Sequence, residues 1–400
     1  MATNSEKIFE KIRNNIIKQK NKLSLPSFVV VKITEDCNLR CDYCYTEGGK
    51  NKKVIDVEDV INLFDQISLG NSGKIVCLFH GGEPLMHISV IEKIINELNK
   101  KYYSPRISYR IQTNGTIVNK KIIDVIKKNK ISVGVSLDGY KTLNDQHRKQ
   151  IDGGGTFDTI MKNINYFRNE NIKIGILNLI TKSNVNHIEE ILNFYKENNL
   201  YNISFSIFAP SGYGKSIASM LIPNQSELVK NVKKEILWLI KNNENALKTN
   251  EETIIEREIK YMAQRILFEG KCSYMCKSIP CGAGTMHISL ESNGDINICD
   301  ALYGIKECVI GNIKNKTLIE ILKNPLIKRF SERHITNIKK CSKCNLNRYC
   351  HGGCPAENII YNNSLDGVSR ESYNCKFLYE IYDFLLKIYD ESKEKLHFLC

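Results

Sequence analysis

The sequence predicts an α/β chain: a partial barrel of six strand–helix units, followed by a small cysteine-rich domain. Six apolar, β-branched runs alternate with five segments of helical periodicity between residues 28 and 209. That is the pattern of a parallel sheet with right-handed crossovers. Six units fall short of the eight of a closed barrel. The 15 cysteines fall in two zones, Cys37 to Cys44 and Cys272 to Cys400, with Cys77 alone between them.

Residues 5–20 read as an amphipathic helix, with Ile8, Ile12, Ile16 and Ile17 on one side. Strands are expected at 28–34, 74–80, 106–113, 132–137, 172–181 and 203–209. Their near-continuous apolar character suits strands buried on both faces. Helices are expected at 56–67, 88–101, 119–129, 157–170 and 186–199, then two long polar ones at 226–243 and 250–268. Asn293-Gly294 between alternating runs signals a hairpin, and 375–396 is helical again. The expected segments are 1–27 (extension), 28–222 (barrel), 223–270 (helical bridge), 271–378 (cysteine-rich domain) and 379–400 (C-terminal helix).

Of the 400 residues, 42% are hydrophobic and 25% charged, which excludes disordered and collagen-like classes. No apolar run reaches the roughly 18 residues of a membrane span. The first twenty residues are charged throughout and are not a secretory signal. A cytoplasmic chain is expected, where thiols stay reduced, so metal or iron–sulfur ligation explains the cysteines better than disulfides. The formal charge is +13. Eleven thiolates around three 2+ cubane cores would bring it to about +8. The remaining lysines are spread along helix faces without interleaved aromatics, so no nucleic-acid partner is expected.

Cys37-x3-Cys41-x2-Cys44 follows the first strand directly, at the carboxyl end of the sheet, where open α/β folds bind ligands. Three thiolates can hold three irons of a cubane and leave the fourth open. A closed zinc site wants four ligands, and no fourth Cys or His is near.

This spacing, on a six-unit α/β chain, resembles the radical SAM superfamily. The resemblance implies that the open iron chelates S-adenosylmethionine (SAM), whose reductive cleavage yields a 5′-deoxyadenosyl radical. Further matches fall at the expected strand ends. In Gly81-Gly82-Glu83-Pro84 the glycines let the backbone approach a ligand, and Glu83 is expected to accept from the methionine ammonium. Tyr43 resembles the aromatic beside the adenine. Gln112–Gly115, including Asn114, ends the third strand. Ser136 is expected on a ribose hydroxyl and Arg148 on the SAM carboxylate. Ala209 is expected to meet adenine through its backbone.

Cys281-x12-Gly294-x4-Cys299, then Cys341-x2-Cys344-x5-Cys350-x3-Cys354 and Cys375, resemble the SPASM domain found behind many radical SAM barrels. The resemblance implies two auxiliary 4Fe–4S clusters, three clusters in all. One would use Cys281, Cys299, Cys354 and either an upstream residue, Cys276 favoured over Cys272, or an iron left open for a substrate thiolate. The other would use Cys341, Cys344, Cys350 and Cys375. Spacing alone would group residues 341–354 as a zinc ribbon. Cys77 reads as core, and Cys308 and Cys400 have no motif partner. Asp300 follows Cys299 directly. In anaerobic sulfatase maturases, which share this architecture, an Asp at the matching position takes a proton from the substrate. Beside an anionic cluster its pKa is expected to be raised.

The resemblance implies a radical SAM oxidoreductase acting on a peptide or protein. The favoured expectation is a maturase of a ribosomally made peptide, forming a thioether or carbon–carbon crosslink, because FHGGEPLM resembles the peptide maturases. The alternative is an anaerobic sulfatase maturase converting Cys or Ser to formylglycine, which Asp300 favours. A zinc-bearing nucleic-acid or scaffold module is the reading from another class. Expected partners are the polypeptide, an electron donor such as flavodoxin or ferredoxin and, since 27 residues before the first strand are too few for a leader-binding domain, a separate leader-binding protein. No membrane partner is expected.

Overall fold

The computed structural model describes residues 25–71, 73–102, 106–272, 274–278 and 280–400. The expected helix at 5–20 lies outside them. The alternating units form β1 (Phe28–Thr34), α1 (Val57–Gly70), β2 (Ile75–Gly81), α2 (Ile88–Lys101), β3 (Ile107–Thr113), α3 (Lys120–Lys128), β4 (Ser132–Ser136), α4 (Phe157–Asn169), β5 (Ile174–Ile180), α5 (Ile188–Glu197) and β6 (Asn202–Ile207). The six strands pair in parallel and in chain order, so the expected α/β class is the one observed. Side-chain caps start several helices: Asp56 accepts from Glu58 N ahead of α1, and Asn119 from Ile122 N ahead of α3. Val29, Val31 and Ile33 of β1 are fully buried, and Cys77 packs in the same core.

α6 (Gln225–Thr249) is followed by β7 (Ile255–Glu256) and α7 (Arg257–Leu267). The sequence expectation of a helix from residue 250 is corrected here. Thr253, Ile254 and Ile255 are β-branched and favour extended backbone, and β7 pairs with β6. The Glu256 carboxylate accepts from Phe205 N at 2.9 Å and Ile259 N at 2.6 Å, so it caps α7 and ties it to the sheet.

The cysteine-rich region adds three more strands to the same sheet: β8 (His287–Leu290), β9 (Asp295–Asn297) and β10 (Val309–Asn312). β8 lies parallel to β1 on the edge away from β2, from Phe28↔His287 to Val31↔Leu290. The order is β10-β9-β8-β1-β2-β3-β4-β5-β6-β7, and the sheet crosses the expected boundary at residue 270 without a break. The β8–β9 turn is Asn293-Gly294, with Gly294 at φ 91°. α8 (Cys375–Glu391) packs on α6. It ends before Ser392, and a separate turn of helix runs Lys393–His397, where one helix to 396 was expected. Among the described residues no helix is long and apolar enough to cross a membrane.

Candidate active site

A cavity of about 640 Å³ joins the two cysteine zones. Its walls include Cys37, Cys41 and Cys44, the strand-end residues His80, Thr113, Ser136 and Ile207, and Cys276, Cys281, Cys350 and Cys354.

The first three cysteines sit on an irregular loop after β1. Leu39 N donates to Cys37 Sγ at 3.4 Å and Gly48 N to Cys44 Sγ at 3.3 Å, which suits sulfurs that carry negative charge. Burial, above all, pushes the Cys37 and Cys41 thiols up to about 12. They would not ionise unaided near neutral pH, but a coordinating metal deprotonates a thiol outright. A Cβ at Gly48 would stand 3.0 Å from Cys37 Cβ, tighter than an ordinary contact, so glycine lets the loop fold back against Cys37. The residues therefore fit an iron–sulfur cluster. Among the described residues no three Cys, His, Asp or Glu side chains converge on a single-ion site. Cubane chemistry does not ask for that, because each thiolate binds its own iron.

The residues expected around SAM divide into two kinds. Tyr43, Gly81, Gly82, Asn114, Ser136, Arg148 and Ala209 all line the cavity. Ser136 Oγ accepts from Gln112 Nε2 at 3.0 Å, and Asn114 Nδ2 reaches Asn38 Oδ1 at 2.9 Å. Arg148 is already half-committed. Its Nε donates to Asp138 Oδ2 at 3.0 Å, where the Tyr43 hydroxyl also donates, and its guanidinium lies over the Tyr43 ring.

Glu83 is not among the residues that line the cavity. It is fully buried and accepts from Leu85 N at 2.9 Å, Thr113 Oγ1 at 2.7 Å and Asn114 N at 2.7 Å. These three hydrogen bonds lock the end of β2 to the end of β3. Burial outweighs these donors and pushes its carboxyl up to about 7. The two glycines are also explained by backbone. A Cβ at Gly81 would meet Thr34 O at 2.2 Å, and one at Gly82 would meet Asp36 O at 2.0 Å. What approaches them is the start of the cysteine loop.

The later thiols fall into two groups. Burial raises Cys299 well above the usual range, and the neighbours that add to this are Cys276, Cys354 and Cys281. Cys341 is pushed up to about 11 by burial and by Cys350, Cys375 and Cys344. Cys276 lines the cavity and Cys272 does not. Cys308 is core.

The side chains around Asp300 act against the expected rise in its pKa. Burial raises it, but Lys32, His80 and the donors from Lys32 and Tyr45 outweigh burial and hold it below the usual carboxylate value. Lys32 Nζ is 2.5 Å from Asp300 Oδ1, and the Tyr45 hydroxyl donates to Oδ2 at 3.1 Å. Lys32 Nζ also donates to the Tyr45 hydroxyl and lies 4.5 Å from that ring's centroid. His80 accepts from Gly81 N at Nδ1 and packs edge-on to Tyr45. Burial pushes its pKa down to about 4, so it is neutral. Sequence reasoning missed Lys32 and Tyr45. The signal for Lys32 was there: a lone charge inside the apolar run FVVVKIT.

Residues 31–195 match the radical SAM superfamily, and residues 281–345 match SPASM, an iron-sulfur cluster-binding domain. The chain is 32% identical to an uncharacterized protein of Methanocaldococcus jannaschii, over 74% of this chain and 91% of that protein. The chain belongs to the radical SAM superfamily and carries a SPASM domain. This radical SAM/SPASM protein therefore binds SAM, a 4Fe–4S cluster and auxiliary iron–sulfur clusters. It is 28% identical to a cysteine-type anaerobic sulfatase-maturating enzyme of Clostridium novyi, over 88% of this chain and 94% of that enzyme. A solved structure, native anSMEcpe with bound AdoMet and Cp18Cys peptide, shares the fold with a TM-score of 0.75 at 24% identity, covering 92% of this chain and 99% of that one.

Two predictions follow from this geometry. Glu83→Ala leaves three buried donors without an acceptor and should cost roughly 3–5 kcal/mol, read as a lower midpoint in anaerobic urea unfolding. A variant that unfolds like the parent and loses SAM affinity alone would contradict the locking role. Anaerobically purified protein should hold about twelve irons as three cubanes. Cys276→Ala should lose iron signal from one auxiliary cluster, while Cys272→Ala should keep the full iron content.

Proposed function

We propose that this radical SAM/SPASM protein is a protein-modifying enzyme of the anaerobic sulfatase-maturase type. It would oxidise a Cys or Ser side chain of a polypeptide at its β-carbon, towards formylglycine. The observation that carries this reading is Asp300, an ionised carboxylate in the wall of the cavity that also holds the Cys37–Cys44 loop. The similarity to the Clostridium novyi enzyme supports it across nearly the whole of both chains. The peptide-crosslinking reading, based on FHGGEPLM, has no comparable support.

In this reading Cys37, Cys41 and Cys44 hold the SAM cluster. Cys276, Cys281, Cys299 and Cys354 hold one auxiliary cluster, and Cys341, Cys344, Cys350 and Cys375 the other. Bound SAM and its cluster would supply a 5′-deoxyadenosyl radical that takes one hydrogen atom from the β-carbon, and an auxiliary cluster would supply the acceptor for the remaining electron of the two-electron oxidation. The chain's own residues bind, orient and take up the proton. Arg148, Ser136, Asn114, Tyr43, the Gly81-Gly82 backbone and Ala209 bind and orient SAM. The cavity wall encloses the reacting side chain. Asp300 Oδ accepts the proton released from the substrate thiol or hydroxyl, and Lys32 and Tyr45 hold that carboxylate ionised and in place.

The test is Asp300→Asn, assayed by mass spectrometry on a sulfatase-derived Cys peptide beside a candidate cysteine-rich leader peptide. The parent should produce an aldehyde on the sulfatase peptide. The variant should still release 5′-deoxyadenosine but lose product by roughly a hundred- to ten-thousandfold, as for a missing acid–base group. A parent that ignores the sulfatase peptide and removes two mass units from the other would sink the proposal.

A further inference from the structure

Arg333 lies between the helix Pro325–Ser331 and Cys341. Its guanidinium donates in three directions to backbone oxygens: Nε to Val368 O at 2.7 Å, Nη1 to His351 O at 2.9 Å and Nη2 to Gly352 O at 2.8 Å. His351 and Gly352 lie in the short turn from Cys350 to Cys354. A Cβ at Gly352, where φ is +70°, would stand 2.8 Å from Nη2. Glycine there gives both the left-handed turn and the seat for the guanidinium. All three acceptors are carbonyls, so none neutralises the charge.

What surrounds the charge is sulfur. Cys354 and Cys281 from one thiol group, and Cys341 and Cys350 from the other, lie within its electrostatic reach. Its charge is felt in return at Cys281 and Cys341. The three-pronged backbone grip fixes the cation on the Cys350–Cys354 turn, which carries one thiol of each group. An arginine stays protonated at any pH the protein meets, so this charge is permanent.

We propose that Arg333 is a positioning residue shared by both auxiliary clusters, whose fixed charge raises the reduction potential of each. The physical reason is direct. Reduction adds negative charge to a cluster, and a partly buried cation beside its thiolates stabilises the reduced form more than the oxidised one. Cluster potentials follow net charge, hydrogen bonding and exposure in this way. The proposal rests on the grouping of thiols given above. That grouping is read separately, from which cluster's spectroscopic signal is lost in Cys354→Ala.

The experiment compares anaerobically reconstituted parent, Arg333→Gln and Arg333→Lys by redox titration, followed by visible absorption and electron paramagnetic resonance. Gln removes the charge; Lys keeps it and loses the fork. At a fixed potential, the reduced-to-oxidised ratio of both auxiliary clusters should fall about tenfold in Gln, a shift of about 59 mV for a one-electron couple. Lys should stay close to the parent, and the cluster on Cys37, Cys41 and Cys44 should not move in either. Unchanged auxiliary potentials in Gln with full iron content would overturn the proposal. So would equal shifts in Gln and Lys, or a shift confined to one auxiliary cluster. If Gln loses auxiliary iron, Lys decides: iron kept by Lys supports the charge, and iron lost equally from both overturns it.

Discussion

The site is organised around a buried cation. Lys32 sits in the middle of β1 at 1% exposure. Burying an ammonium costs several kcal/mol unless an opposite charge and further partners meet it. Asp300 meets it at 2.5 Å, the Tyr45 hydroxyl accepts from it, and the rings of Tyr45 and Tyr303 lie 4.5 and 5.7 Å away. These partners come from the residue after Cys44, the residue after Cys299 and Tyr303 three residues further on. Satisfying one lysine therefore fixes the SAM-cluster loop against the first auxiliary ligand loop.

That arrangement depends on the extra strands. β8 pairs with β1, the chain turns at Asn293-Gly294, and β9 leads back to Cys299 and Asp300. Without this pairing Asp300 would have no reason to lie in the barrel's cavity. A second buried pair, Arg148 with Asp138, stands on another wall and carries Tyr43. The cavity wall thus holds a carboxylate beside Cys299 and an arginine beside Tyr43, each with its partner already bound. Electrostatics of this kind need no rearrangement when a substrate arrives.

Much of this was legible in the sequence, for local reasons. Strand–helix alternation, the cysteine spacings and the Asn-Gly turn are short-range patterns, and the structure places each near where it was read. What was not legible is non-local or depends on which face is buried. Tyr45 and Asp300 are 255 residues apart in the chain, and nothing local announces the β1–β8 pairing. The GGEP motif marked the right strand end, but nothing in it announced that Glu83 ties that end to Thr113 and Asn114 at the end of β3. Arg333 has no local signature, since it reaches carbonyls 18 and 35 residues away. Asp300 was found, but its ion pair with Lys32 was not, because Lys32 was passed over as one more lysine.

The most direct test of the Lys32–Asp300 tie is a double-mutant cycle in anaerobic urea unfolding, with Lys32→Met, Asp300→Asn and both together. Asp300→Asn strands the buried ammonium and should cost about 3 kcal/mol, while Lys32→Met leaves a carboxylate that is 27% exposed and should cost less. The double variant should cost far less than the two singles combined, because neither charge is then left alone. Additive losses, within about 0.5 kcal/mol, would show that the two residues do not depend on each other and would contradict the account.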